Sequence, residues 1–202
     1  MKSSEKISMV SIIIPNNNDK YIEETLNSIK AQTYKNYEVI ILSTREYGDI
    51  GLNKKVNLGA KKAKGEYLLV LSDDDTIEPD YLEKTVEMMK DVDIVYTDMR
   101  NFGDYNSIDI AMDWNKGNFQ GSTVPYITSL VRKEMFNKVG GWEEEEYVYG
   151  DWNFWSKCFK AEATAFHLRE PLFNYRRHKE QASNTTDNHP LLRANTLKLN
   201  DL

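Results

Sequence analysis

The sequence predicts an α/β fold, a mostly parallel central sheet flanked by helices. Three observations predict it. Short β-branched runs alternate with stretches whose apolar residues recur at helical spacing through the first half of the chain. The connections between them are short, which favours right-handed crossovers between parallel strands. An acidic turn, Asp73-Asp74-Asp75, directly follows one apolar run, and in such sheets ligands bind beyond the carboxyl ends of the strands.

Residues 10–15 (VSIIIP) form a β-branched run closed by proline, the pattern of a buried strand. Residues 21–32 carry Ile22, Leu26 and Ile29 on one helical face. Residues 37–42 (YEVIIL) read as a second buried strand. Residues 52–64 read as a helix with Val56, Ala60 and Ala63 inward and Gly65 as its stop. Residues 66–71 (EYLLVL) make a third strand. Residues 80–90 make a third helix with Leu82, Val86 and Met89 inward, and residues 93–98 (DIVYTD) a fourth strand.

The second half changes character. Residues 101–125 are polar and aromatic, with Gly103, Gly117 and Gly121 and no clear period, and read as loops over the sheet edge. Residues 127–131 read as a strand and 133–139 as a short helix ended by Gly140-Gly141. Residues 151–161 read as a helix with Trp152, Trp155 and Phe159 on one face, and 172–175 as a last strand. From Lys179 the chain is polar and is expected to fray. There is no internal repeat and no linker, so the 202 residues read as one domain. It divides into a first half (residues 1–98), a second half (99–183) and a tail (184–202), and as a whole is open to being the catalytic piece of a longer protein.

Composition narrows the function classes. With 40% hydrophobic residues the chain can bury a real core. Against 26 Lys and Arg stand 32 Asp and Glu, a net charge of −6, where a nucleic-acid binder shows a basic excess. Cys158 is the one cysteine, so no internal disulfide forms. The first residues show no apolar core of a signal peptide and no run of about 18 apolar residues occurs, so the expectation is no signal peptide and a soluble, cytoplasmic protein without a membrane span.

The acidic turn is the first chemical candidate. Adjacent carboxylates do not all stay ionised cheaply without a cation. A hard divalent ion such as Mn²⁺ or Mg²⁺, held by one or two of them together with phosphate oxygens, is the natural counter-ion. The competing reading is a solvated turn, since aspartate favours turns and helix starts, with Asp80 after Pro79 as the cap of the next helix. For Asp151 the local reading is likewise an N-cap. Trp155 reads as core, His167 and His189 as bland, and Glu143 to Glu146 as a solvated loop.

The motifs resemble the family 2 glycosyltransferases. VSIIIPNNNDKYIEETLNSIKAQTYKNYEVIIL looks like the family's opening, and NLGAKKAKGEYLLVLSDDDTIEPDYL like its continuation. VGGW, YGDWNFW and YRRH carry the likeness to about residue 183. The resemblance implies the GT-A fold, with a Rossmann-like sheet binding the nucleotide-sugar and a smaller acceptor-side region. It implies a metal-dependent, inverting transfer from a nucleotide-diphosphate sugar to a hydroxyl acceptor, as in polysaccharide or glycan synthesis. The first choice of donor is a UDP-sugar, with GDP and dTDP as alternatives.

Carried over by position, the resemblance makes Asp74 the metal ligand, Asp75 a second choice, and His178 of YRRH a third ligand or a diphosphate contact. Arg176 and Arg177 are further phosphate candidates. Ser72 and Asp73 would face the ribose. The base would lie near Pro15, Asn16 and Asn17, with Thr44 where members often carry an aspartate. Lys54 or Lys55 would reach the base or a phosphate, against a solvated helix face. Asp151 would be the catalytic base, and Trp142 and Tyr149 acceptor contacts. Ser72, Thr44 and Gly150 each stand where the family often has an acid, which keeps a non-catalytic nucleotide-sugar-binding module as the rival. A phosphohydrolase of the haloacid dehalogenase type is the more distant one: its Asp-x-Asp belongs on the first strand, and here the motif follows the third.

Overall fold

The computed structural model describes residues 8–17, 19–119, 125–144, 149–181, 194 and 196–198. The readings of residues 1–7, of Gly121, of Glu145 and Glu146, of His189 and of most of the tail lie outside the described residues. The elements run β1 (Val10–Asn16), α1 (Ile22–Lys30), β2 (Tyr37–Ser43), α2 (Thr44–Tyr47), α3 (Leu52–Lys62), β3 (Tyr67–Val70), β4 (Thr76–Ile77), α4 (Tyr81–Met88) and β5 (Ile94–Gly103). They continue with β6 (Ser107–Asp109), α5 (Lys116–Phe119), β7 (Leu130–Arg132), α6 (Lys133–Lys138), α7 (Gly150–Lys160) and β8 (Ala165–Arg177).

One sheet holds the strands in the order β2-β1-β3-β7-β5-β8-β4, with β6 against β5. Strand β1 pairs in parallel with β2 and β3, and β5 with β8. The pairings β3–β7, β5–β7, β4–β8 and β5–β6 are antiparallel. Two reversals across β7 leave β5 running the same way as β3. The expected common direction of β1, β2, β3 and β5 therefore holds, but the sheet is mixed: a three-residue antiparallel strand is wedged between β3 and β5.

Period-two alternation along the buried strands makes two cores. Ile13, Leu68 and Val70 face α3, α6 and α7, among Val56, Ala60, Phe136, Trp142, Phe154 and Trp155. Ile12, Ile14 and Leu69 face α1 and α4, among Ile29, Tyr81 and Leu82. Helix α3 presses close to β1 at Gly59, where an added Cβ would meet Ile13 Cγ2 at 2.4 Å. Buried Gln32 ties α1 to α4: its Nε2 donates to Ser28 O and Glu78 O, and its Oε1 accepts from Leu82 N. Asp80 does stand at the start of α4, but makes no side-chain cap bond there and instead pairs with Lys84 at 2.8 Å.

Strand β8 is far longer than residues 172–175. Its charged stretch and Pro171 argue against a strand when read locally. In the sheet, the register against β5 slips at Asp98: Thr97 faces Leu168 and Asp98 faces Pro171. A bulge absorbs Arg169 and Glu170, and proline is tolerated there because a ladder donor is not required. Among the described residues beyond Lys179, Gln181 is buried and Thr196 is fully buried, contrary to a fraying tail at those two positions.

Two outcomes follow from this packing. Gly59→Ala gains helix propensity but overpacks a core that cannot yield, so it should lower the unfolding free energy by a net of about 1–2 kcal/mol in a urea titration. Cys158 is fully buried, and burial pushes its thiol up to about 12. It should therefore resist alkylation in the native protein at pH 8 and react once denaturant is added.

Candidate active site

The site is built where β1, β3 and β8 end. The acidic turn between β3 and β4 closes on itself, with Asp75 N donating to Ser72 O at 3.3 Å and Thr25 Oγ1 donating to Asp75 O at 2.7 Å. Its three carboxylates have different fates. Asp73 Oδ2 accepts from the backbone N of Asn17 at 2.7 Å, tying the turn to the end of β1. Asp74 Oδ2 lies 2.9 Å from His178 Nε2, and both side chains remain partly accessible. Asp75 is fully buried, and its Oδ1 accepts from Arg176 N at 2.8 Å. Burial, and then the neighbouring Asp74, push the Asp75 carboxyl well above the usual carboxylate range. Asp75 is thus turned into the core beneath the turn, not towards a cleft ion, which corrects its reading as a second ligand.

Arg176 is the strut of this corner. Its Nε donates to Asp74 O at 2.8 Å and its Nη2 to Glu24 Oε2 at 2.6 Å. The guanidinium lies between the rings of Tyr21 and Phe102, at 4.3 and 4.4 Å from their centroids. Arg177 turns the other way, donating from Nε to Asn101 Oδ1 at 2.7 Å. Arg176 is thereby committed to the protein through Nε and Nη2, while Arg177 is bonded through Nε. His178, one residue on, leans on Tyr21 with centroids 5.2 Å apart.

The ends of β1 and β2 lie side by side, with Asn16 in register with Ser43. Pro15 and Asn16 are buried, and Asn16 Nδ2 donates to Asp19 Oδ1 at 3.1 Å. Asn17 is exposed, as is Lys54 on the outer face of α3. The lysine that matters is the next one. Lys55 is fully buried, and its Nζ donates to Asn16 O, Asn17 Oδ1 and Thr44 Oγ1 at 2.9, 2.7 and 2.6 Å. Burial holds its ammonium below the usual lysine range, against the opposing pull of Asp49 and Asp73. The stripe read from the sequence, Val56, Ala60 and Ala63, passes beside residue 55 and does not mark it.

Asp151 is the second residue of α7, with Tyr149 in the cap position, so Asp151 is not the cap. Its Oδ1 accepts from Trp152 N at 2.8 Å. Tyr149 is half-buried, and its N donates to Thr196 Oγ1 at 2.9 Å, so part of the tail packs on the start of this helix. Trp142, read as an acceptor contact, is 3% exposed and belongs to the core beside Phe154. Asn57 brackets its backbone, donating to Trp142 O and accepting from Trp142 N. His167 is not bland: its Nε2 lies 2.7 Å from Asp98 Oδ1 and its ring stacks on Tyr96.

The model of the family described as "Glycosyl transferase family 2" matches residues 11–46 and 42–124, over half of the 202 residues. The chain belongs to glycosyl transferase family 2. An uncharacterized glycosyltransferase of Rickettsia conorii is 30% identical, across 90% of this chain and 36% of its own length. One from Rickettsia prowazekii is 29% identical, across 93% of this chain and 70% of its own length. This chain therefore spans about a third of the first relative. Among solved structures, S. aureus TarS 1-349 in complex with UDP-GlcNAc superposes with a TM-score of 0.71 at 18% identity, over 89% of this chain and 61% of that one. The mannosyltransferase PcManGT from Pyrobaculum calidifontis, in complex with GDP-Man and Mn²⁺, gives 0.67 at 14% identity, over 90% and 60%. These likenesses establish the GT-A-type fold.

The packing at Gly150, the residue before Asp151, leaves no room for a side chain. A Cβ at Gly150 would meet Asn53 Oδ1 at 2.3 Å and Trp142 at 2.7 Å, while Asn53 Nδ2 donates to Glu143 O at 2.7 Å. The strut also has a measurable consequence. Arg176→Lys keeps charge but loses the planar contacts, and should lower stability by about 1–3 kcal/mol in thermal or urea unfolding.

Proposed function

We propose that this chain is the catalytic domain of a nucleotide-sugar-dependent glycosyltransferase that acts with inversion on a hydroxyl acceptor. The observation that carries the reading is the pair Asp74 and His178, 2.9 Å apart at the carboxyl end of the sheet, on a turn that Asp73 ties to the end of β1. Family membership supports nucleotide-sugar chemistry, and the UDP-GlcNAc and GDP-Man complexes of the structural neighbours support the donor class.

The pair also fits a divalent cation. An accessible carboxylate oxygen and an imidazole nitrogen offer two ligands, and Mn²⁺ or Mg²⁺ completes its shell with diphosphate oxygens and water. Among the described residues no cluster of three or more such side chains occurs, and in this reading diphosphate oxygens and water supply the rest of the shell. A cation held by Asp74 and His178 would neutralise charge on the departing diphosphate.

Asp151 would take the proton from the acceptor hydroxyl as that oxygen attacks the anomeric carbon and the nucleotide diphosphate leaves. The start of a helix tends to depress a carboxylate's basicity, so this role relies on positioning, which the Trp152 N–H bond to Asp151 Oδ1 supplies. Asp73 and Ser72 would face the ribose, and the ends of β1 and β2 the base. Tyr149 is the remaining acceptor candidate. No helix among the described residues is long and apolar enough to cross a membrane.

Calorimetric titration with UDP, GDP and dTDP, with and without Mn²⁺, tests the donor half. One nucleotide should bind with metal dependence, and Asp74→Ala should abolish that dependence. Asp151→Asn should retain donor affinity while turnover falls about a thousandfold or more in a donor-hydrolysis or transfer assay. Unchanged turnover in Asp151→Asn would remove Asp151 as the base, and nucleotide binding without turnover in the wild type would point instead to a binding module.

A further inference from the structure

The start of α7 is held from a distance. Tyr149 stands in the cap position with φ −72° and ψ 99°, and its own side chain makes no cap bond. Both of its backbone groups are nonetheless engaged. The carbonyl accepts from Asn153 N at 3.0 Å, the bond that opens the helix. The N–H donates to Thr196 Oγ1 at 2.9 Å, across 47 residues of sequence.

The way this part of the tail docks is set by that bond. Thr196 is fully buried, in the helical residues 196–198, while its neighbours Leu197 and Lys198 are exposed. A segment docked by the hydrophobic effect alone would turn its leucine inward. Here the chain buries a hydroxyl instead, a group that can accept from a backbone N–H. Between the anchored amide and Asp151 stands Gly150, packed against Asn53 and Trp142. Glycine has the widest backbone freedom of any residue, so an anchor beside it restricts the approach to the helix where it would otherwise be loosest. The placement of Tyr149 is thereby passed on to Asp151, whose Oδ1 is tied to the helix by Trp152 N.

We propose that Thr196 is a positioning residue for Asp151: its hydroxyl fixes the Tyr149 amide, and with it the direction in which the first turn of α7 presents the carboxylate. The polar tail is then needed for turnover and not for donor binding. This rests on the reading of Asp151 as the base. A misplacement of about 1 Å is enough to slow a chemical step about a hundredfold, and the Thr196 bond acts on that scale.

The test is turnover of UDP-GlcNAc, GDP-Man and dTDP-glucose with water as acceptor, in the presence of Mn²⁺, on the wild type, Thr196→Val, Thr196→Ser and Asp151→Asn. Valine keeps the shape of threonine and removes the hydroxyl, whereas serine keeps the hydroxyl. In Thr196→Val, kcat should fall about tenfold to a hundredfold while the donor KM stays within about twofold, and thermal melting should still report a cooperative fold. Thr196→Ser should restore kcat to within about threefold of the wild type, the rescue that a bond to the hydroxyl requires and a packing role does not. A folded Thr196→Val with the wild-type kcat overturns the proposal, and so does a loss that serine fails to rescue. If Thr196→Val does not fold, Thr196→Ala is read in the same way. Loss of turnover in Asp151→Asn beside full turnover in Thr196→Val overturns this inference only. Full turnover in Asp151→Asn removes the base, and this inference with it. Wild-type protein that turns over none of the donors removes the transferase reading, and this inference with it.

Discussion

The corner of the molecule that carries the acidic turn depends on one buried carboxyl group. Asp75 is withdrawn completely from solvent and takes the backbone N–H of Arg176, the penultimate residue of β8. Burying a polar group without a partner is costly, so the turn's shape depends on the end of β8 supplying that N–H. The consequences are local and rigid. Arg176 spans the turn and α1, its ring contacts lock the guanidinium, and His178 is delivered two residues later against Asp74. Two groups more than a hundred residues apart in sequence come within 2.9 Å of each other.

That delivery is a matter of register. Strand β8 runs beside β5 for most of its length, and the bulge at Asp98 decides which of its residues reach the site. Because side chains alternate along a strand, a slip of one residue would turn Arg176 away from the turn. The bulge also sets the buried pair of Asp98 and His167 beside Tyr96, where Asp98 Oδ1 further accepts from Ala111 N. The segment after β6 is thereby anchored to the sheet.

Charge is arranged unevenly in a chain that is acidic overall. One cation is sealed under the end of β1, where Lys55 holds Asn16, Asn17 and Thr44. Another lies under the acidic turn as Arg176. Thr44 serves Lys55, and the absence of a side chain at Gly150 leaves room for Asn53 and Trp142.

The local pattern of the sequence determined a good deal. Period-two and helical spacing were sufficient for β1, α1, β2, α3, β3 and α4, because each of these buries one face and its apolar residues must repeat accordingly. The motifs around GEYLLVLSDDD and YRRH were sufficient for the family, and the adjacency of three aspartates for suspecting a cation. What only the tertiary structure decided were the properties that depend on partners distant in sequence. The wedge of β7 between β3 and β5, the full length of β8 through Pro171, the inward turn of Asp75, the core position of Trp142 and the burial of Lys55 all belong to this class. A run of three residues, a proline or a lysine carries no local mark of such a role. Its energy is set by which groups the fold brings within hydrogen-bonding distance, and by whether water is left to compete for them.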